Sequence, residues 1–481
     1  ANVMLVLGTA AFLGARSEGG EGVKRDSVAV IAATAFMAVF VFGGEVPLSG
    51  GVVMLSCLIA YYYYTYSKAI AGDDEYEFAD SWLPGNMSVA IPACIIGGAM
   101  IGSAVAWSLI SNSDFSGTVC VIEKDSTYEF ASTSRSNSCI RQQYSNELNV
   151  KISQYGAEFI KNFKNFIRDE DAPNITFQDF GYMYFAGSKS AKEVLKQNQV
   201  MQRSLGAKTR IMSPSEILSE YPFYNVSDIL CGSHNTHEEG YFDGATIFSW
   251  WLRKSKELGV LFLSDEVNEI DYDRGTNLVG GVRLASGKKI NCGLLVNAAG
   301  PRASEISKKI GVHLPIEPRQ RYSFVFDAEK PIDRPLPLTI DPSGVHVRSD
   351  GDYYVAGCPP DCDTMVGFDD FEMDYSIWET KIWPVLAHRI PQFDALKVIN
   401  SWVGHYAYNV FDQNAVLGPH PEIKNFIFAN GFSGHGLQQS PAVGRGISEL
   451  IIYGGYRSLD LSSLNFNRII ENKPFLERAI I

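Results

Sequence analysis

The strongest constraint lies in VAIPACIIGGAMIGSAVAW, residues 89–107, where an apolar run meets a glycine turn and then a second apolar run, with TVCVIEKD following at 118–125. Strand, glycine turn, helix and a second buried strand ending on an acid, Glu123, make one βαβ unit. Glu123 stands 21 residues after Gly102. At that spacing a carboxylate meets the ribose of a bound dinucleotide, while the helix N-terminus offers its free N–H groups to the pyrophosphate. Gly97 and Gly102 hold the outer positions of the G-x-G-x-x-G pattern, but the middle position is Ala99. A methyl is the smallest intrusion possible where backbone approaches phosphate, so the turn reads as an occupied site loosened by one methyl group.

The chain's 481 residues, 46% of them hydrophobic, suffice for two or three domains with a sizeable core. A formal charge of −13 and the lack of a basic stripe argue against a nucleic-acid partner. The eight cysteines are scattered and read as thiols of a reducing compartment. Cys358 and Cys362 have no second pair or nearby histidines to complete a metal site, and none is expected.

Residues 1–85 differ in character from the rest of the chain. The runs 27–44 and 47–67 are apolar and uncharged, and each is near the lower limit for crossing roughly 30 Å of hydrocarbon. Tyr61–Tyr64 suit an interfacial belt, and Arg16, Lys24, Arg25 and Lys68 flank the outer ends. These features predict a transmembrane helical hairpin with both termini on the positive side. The acidic linker at 72–86 ends in Pro-Gly-Asn and marks a domain boundary.

Further along, SPSEILSEYP carries a capping box of Ser213, Pro214 and Glu216 on a surface helix. An amphipathic helix over 243–260 runs from Asp243 to Gly259. FLSDEVNEIDY and LVGGVRLA read as meander strands before the buried strand LLVNAAG, and VHVRSDGDYYVAG reads as a hairpin about Asp-Gly. NFIFANGFSGHGLQQSPAVGRGISELI gives strand, glycine-rich turn and helix. His234 and His237, in GSHNTHEEG, read as solvated loop residues.

Taken together, CIIGGAMIGSAVAW, VIEKDSTYEFASTSRSNSCIRQQYS, LLVNAAGPRASEI, GHYAYNVFDQNAVLGPHP and FANGFSGHGLQQSPAVGRGISELI resemble the D-amino acid oxidase and sarcosine oxidase superfamily of FAD proteins. Within it the likeness is greatest to a mitochondrial branch linked to assembly of respiratory complex I. The resemblance covers roughly 88–481 and implies a Rossmann-type FAD domain, discontinuous over 88–175, 241–316 and 403–456. A substrate domain with an antiparallel sheet follows over 176–240 and 317–402, and a tail over 457–481. The expected fold class is thus α/β (α+β), preceded by the membrane hairpin.

By position, the resemblance places Gly97, Gly98, Ala99, Met100, Ile101 and Gly102 at the pyrophosphate, with Glu123 and Lys124 at the adenosine ribose. Ser132, Thr133 and Ser134 fall in the loop near the pyrophosphate, Val267 at the adenine, and Ala299 and Gly300 beneath the cofactor. Gly434, His435, Gly436, Leu437 and Gln438 wrap the pyrimidine edge, where a helix N-terminus favours negative charge. Arg141 matches an arginine that anchors the substrate carboxylate. Gln438 falls where related oxidases carry a lysine as second anchor. His405 matches a cysteine that attaches flavin covalently in relatives, and it is expected instead as a polar wall of a pocket shaped with Tyr408, the FAD being non-covalent. The leading expectation is an accessory or assembly subunit of an organellar membrane electron-transfer complex. It would sit on the matrix side of the mitochondrial inner membrane, or on the stromal side of a thylakoid. The alternative is an active oxidase or dehydrogenase of a secondary or N-methylated amino acid, acting on a small amine substrate.

Overall fold

The computed structural model describes residues 92–478. Its centre is the predicted βαβ unit. Strands Pro92–Ile96 and Thr118–Glu123 run parallel, Cys94 opposite Cys120, and helix α1, Met100–Ile110, connects them. They lie within a six-stranded sheet of order Val416–Pro419, Phe426–Asn430, Leu294–Asn297, Pro92–Ile96, Thr118–Glu123, Leu261–Ser264. Neighbours are parallel except for the outermost pair, Val416–Pro419 against Phe426–Asn430. A parallel sheet is covered on both faces, which is why PACII, TVCVIE and LLVN are continuous apolar runs rather than alternating ones.

One face packs Ile95, Val121 and Val296 against α1 and helix α4, Gly436–Tyr453. Helices α2, Glu147–Lys161, and α3, Gly244–Glu257, extend this layer, α2 against α4 and α3 against α1. The other face packs Cys94, Ile96, Cys120 and Ile122 against Val267, Ile270 and Val282 of a three-stranded sheet.

An eight-stranded sheet has the order Leu396–Asn409, Ile316–Ala328, Tyr353–Cys358, His346–Asp350, Leu338–Ile340, Tyr182–Ala186, Cys231–Asn235, Arg210–Met212. It is antiparallel apart from Leu338–Ile340 against Tyr182–Ala186. Alternation along its strands sends Phe324, Phe326, Met183, Phe185 and Val347 into an apolar core with Trp378 and Leu386. Arg321, Ser323, His346 and Tyr182 are presented instead to the cavity beside the glycine turns.

The capping box at Ser213 forms with Pro214 at its start, Asp243 caps α3, and the Asp350–Gly351 turn joins the hairpin strands His346–Asp350 and Tyr353–Cys358. Three expectations are corrected. FLSDEVNEIDY is not one strand: Leu261–Ser264 joins the parallel sheet, and Val267–Asp273 departs for the three-stranded one. The acidic pair between them makes the turn, with the Asp265 N–H donating to Glu123 O at 3.0 Å and Glu266 O accepting from the Ala285 N–H at 2.8 Å. GSHNTHEEG is not a solvated loop throughout. His234 is buried on strand Cys231–Asn235, its Nε2 2.8 Å from Tyr221 Oη, and Glu239 is fully buried, whereas His237 is exposed.

The third correction concerns the membrane hairpin, whose two runs lie outside the described residues. Among the described residues no helix is long and apolar enough to cross a membrane, and the fold class they show is a mixed α/β fold, with no support for the transmembrane hairpin. An uncharged apolar run does not by itself specify lipid: α1, MIGSAVAWSLI, carries no charge over 11 residues and is covered by protein. The seven described cysteines are free thiols.

Candidate active site

Gly97 has φ +95° and a Cβ there would lie 2.4 Å from Ala298 O, while at Gly102 a Cβ would lie 1.8 Å from Gly97 O. Both obstacles are backbone, so neither position admits a side chain. Ala99 has φ −69° and ψ −162°, extended backbone open to any residue, and it lines the cavity. The alanine at the middle of the pattern therefore brings no backbone strain.

Ala99 is also the N-cap of α1, and it supplies no side-chain cap. The Met100 N–H donates to Thr133 Oγ1 at 3.2 Å, which draws the 131–136 loop over the helix start. Glu123 accepts from the Gly98 N–H at 2.7 Å and the Asp125 N–H at 2.9 Å. Burial raises its carboxyl pKa, and these backbone donors only partly oppose the rise.

At the far end of the chain, Phe426–Asn430 leads into a turn with Ser433 at φ +50° and Gly434 at φ +94°. A Cβ on Gly434 would lie 2.4 Å from the Tyr406 ring, so only a glycine lets ring and backbone approach this closely. α4 then begins with His435 as N-cap, without a side-chain cap and without an acid in its first turn. The N-termini of α1 and α4 open on one cavity of about 550 Å³, within the usual range for ligand sites. Helix N-termini with bare N–H groups require acceptors. A molecule with a pyrophosphate at one end and a carbonyl-bearing heterocycle at the other would satisfy both, and Glu123 and Val267, expected at its ribose and adenine, line the same cavity. The residues present fit FAD.

Arg141 lines the same cavity and is 2% exposed. Its guanidinium carbon lies 4.6 Å from the Tyr144 ring centroid, 5.8 Å from Tyr184 and 6.0 Å from Tyr182. Its Nη2 donates to His435 Nε2 at 3.0 Å and its backbone N–H to Gln438 Oε1 at 3.0 Å. Burial pulls its pKa down, but the surrounding phenols and Glu477 outweigh burial and it stays cationic. His435 is held well below the usual histidine range by burial and then by the Arg141 charge, and is neutral.

His405 also lines the cavity. Its Nε2–H donates to Asp370 O at 2.6 Å, and its ring stacks on Phe371 at 4.2 Å and 12°. Burial lowers its pKa. Asp370 and Phe371 belong to a strap pinned elsewhere by Arg321, whose Nη1 and Nη2 reach the Asp363 carboxylate at 2.9 and 2.8 Å, and by Arg302, which pairs with Asp369 and lies 5.1 Å from the Phe368 ring.

Of the residues singled out from sequence, Gly97, Ala99–Ile101, Glu123, Lys124, Ser132, Thr133, Val267, Ala299, Gly300 and Gly434–Gln438 line the cavity together with Arg141 and His405. Gly98, Gly102, Ser134 and Tyr408 are not among its walls, the two glycines being buried and Ser134 exposed. The Tyr408 hydroxyl accepts from Gln413 Nε2 at 2.8 Å, and it is Tyr406 of the same strand that lines the cavity. Tyr182, Arg321, Ser323 and His346 were not legible as site residues, because strand alternation and sheet order bring them there, and no local motif marks them.

Behind Arg141, Glu239 accepts from the Gln142 N–H at 2.7 Å and from Asn235 Nδ2 and Gln143 Nε2, both at 2.9 Å. Burial pushes its carboxyl up to about 7, against those donors and Arg141. A carboxyl raised on folding lends stability that is complete below its unfolded pKa and is lost as pH rises through the folded value. The thermal stability of the wild type relative to Glu239→Gln should therefore fall by roughly 3 kcal/mol as pH climbs from about 4.5 to above 7. Paired melts across that range check it, and a constant difference would contradict it.

A family model described as FAD dependent oxidoreductase matches residues 93–450. The FAD-dependent oxidoreductase domain-containing protein 1 of Xenopus laevis is 35% identical over 420 residues, 80% of this chain and 84% of that protein. The mitochondrial sarcosine dehydrogenase of Homo sapiens is 22% identical over 285 residues, 57% of this chain and 31% of that protein. Among solved structures, L-proline dehydrogenase from P. horikoshii superposes with a TM-score of 0.69 at 26% identity, covering 80% of this chain and 99% of its own. With a cavity built for FAD and a family match over most of its length, this chain belongs to the family of FAD-dependent oxidoreductases.

Proposed function

We propose that the chain oxidises a small secondary or N-methylated amino acid, with Arg141 holding the substrate carboxylate. The observation that carries this reading is a buried, cationic Arg141 facing the cavity that the flavin-binding turns also line. A planar guanidinium suits a carboxylate, and an aromatic surround removes competing water. FAD, when bound, supplies the hydride acceptor. The chain's own part is positioning: Arg141 fixes one end of the substrate, while Tyr182, Leu338 and Tyr406 wall the rest. The cavity histidines, His346, His405 and His435, are all held below their usual range first by burial, which suits walls and hydrogen-bond partners more than proton carriers. Sarcosine dehydrogenase, dimethylglycine dehydrogenase and L-proline dehydrogenase, by their names, act on compounds that pair an amine with a neighbouring carboxylate, which supports the same substrate class. The first two are also named as mitochondrial, and we place this chain in that compartment.

His405 lies beneath Phe371 with its Nε2 committed to Asp370 O, an arrangement that favours a non-covalently held flavin. Acid precipitation of the purified protein should leave the yellow colour in the supernatant, and colour in the pellet would overturn this. Turnover with a dye acceptor over sarcosine, dimethylglycine and proline tests the enzyme reading.

A second reading, an accessory or assembly subunit of a mitochondrial electron-transfer complex, is favoured by Gln438. Its Oε1 is committed to the Arg141 N–H, and an amide adds no cation where a lysine anchor is expected. The two readings separate in cells lacking the chain. If Arg141→Met restores complex levels as well as the wild type does, the accessory role stands without turnover.

A further inference from the structure

We infer that His435 and Gln438 are positioning residues that set Arg141 from the first turn of α4, and so couple occupancy of the flavin site to binding of a carboxylate ligand. The inference rests on the reading of Arg141 as the carboxylate anchor.

Arg141 meets the start of α4 at two points, its Nη2 at His435 Nε2 and its backbone N–H at Gln438 Oε1, both at 3.0 Å. A guanidinium has only donors, so His435 Nε2 accepts and the ring proton resides on Nδ1. Burial and the adjacent Arg141 charge keep that ring neutral, and the acceptor is therefore always available. Tyr144 stands edge-on to the His435 ring at 5.2 Å and beneath the guanidinium at 4.6 Å, so imidazole, phenol and guanidinium pack as one unit. On the opposite side, Ser153 Oγ of α2 donates to Arg141 O.

His435 is at the same time the N-cap of α4, between Gly434 and Gly436, in the turn that lines the flavin end of the cavity. One residue thus presents its backbone to the cofactor and its side chain to the substrate anchor. A displacement of this turn on filling the cavity moves the imidazole, and Arg141 with it. Coupling of this kind is reciprocal: if flavin orders Arg141 for a carboxylate, the carboxylate must tighten flavin by the same factor. Gln438, standing where a second cation is expected, acts through Arg141 in place of touching the ligand.

The test uses the holoprotein and pyrrole-2-carboxylate as probe, with the neutral pyrrole-2-carboxamide as control. Probe affinity is read from the perturbed flavin spectrum, and flavin affinity from its fluorescence on dilution, with and without saturating probe. The wild type should prefer the carboxylate and bind flavin about tenfold more tightly in its presence. His435→Phe, which keeps the ring and loses the acceptor, should weaken the probe about tenfold and bring the coupling factor towards one. His435→Gln, which restores an acceptor, should recover most of both, and Gln438→Leu should act in the same direction as His435→Phe. Should His435→Phe fail to retain flavin, Gln438→Leu carries the test. Wild-type probe affinity and coupling in the loss variants, or a loss that His435→Gln does not recover, would overturn the inference. A wild type that does not distinguish carboxylate from carboxamide would instead show that Arg141 is not the anchor, a separate failure.

Discussion

Arg141→Met should lower kcat/KM for an amino-acid substrate by roughly 30-fold to several-thousand-fold, the consequence of about 2–5 kcal/mol lost when one partner of a buried charge pair is removed. Methionine keeps an unbranched apolar stem that fills part of the space, while the guanidinium over Tyr144, Tyr182 and Tyr184 is lost together with its charge. Flavin content and the melting temperature should accordingly stay near those of the wild type, since removing an arginine that is 2% exposed also removes the cost of desolvating its charge. A loss confined to substrate affinity and turnover marks the anchor. A protein that sheds flavin together with activity would mean that Arg141 holds the fold of the cavity.

Gly102→Val should abolish flavin binding. A Cβ at this position lies 1.8 Å from Gly97 O and 3.3 Å from the Ile95 side chain. Real Cβ atoms do not approach backbone so closely, and α1 must shift away from the turn whose N–H groups face the pyrophosphate. Flavin retained after gel filtration should fall below about a tenth of the wild-type amount, given that a misplaced helix N-terminus loses several charge-assisted hydrogen bonds at once. Ala99→Gly is the matched control. With φ −69° at that position a glycine relieves no strain, so flavin affinity should change by less than about threefold. Equal flavin content in Gly102→Val and the wild type would contradict a cradle formed by these glycines.

The cofactor end of this site was legible in the sequence because its signals are local. Gly97, Gly102 and Glu123 lie within one βαβ unit, and backbone geometry imposes their spacing. The turn around Gly434 is equally local, with a strand before it and α4 after it. The substrate end was not legible in the same way. Sequence points to Tyr408 where the structure has Tyr406: the two share one face of strand Leu396–Asn409, and how far along the strand the cavity extends separates Tyr406, opposite Arg319, from Tyr408, opposite Glu317. His346 and Tyr182 arrive from strands separated in sequence and joined only through sheet order. Gln438 is recognisable as the place of a second anchor, but its attachment to the Arg141 backbone spans 297 positions of sequence and no spacing announces it. The membrane hairpin is read from two uncharged apolar runs, a tyrosine belt and flanking basic residues, all outside the described residues, and the uncharged 11-residue α1, covered by protein, shows that apolarity by itself does not specify lipid. His234 reads as a loop residue because its sequence neighbours are polar, although strand Cys231–Asn235 is buried along its length.

The central claim is that Arg141 presents an amine-bearing carboxylate to the flavin site. Its most direct test is anaerobic addition of sarcosine, dimethylglycine and proline to the FAD-loaded protein, following the visible flavin absorbance in the wild type and in Arg141→Met. Bleaching of the wild type by at least one of these compounds, with the Arg141→Met flavin left oxidised at the same concentration, is the predicted result. Flavin that stays oxidised in the wild type with every compound, or bleaches equally in both proteins, would contradict it.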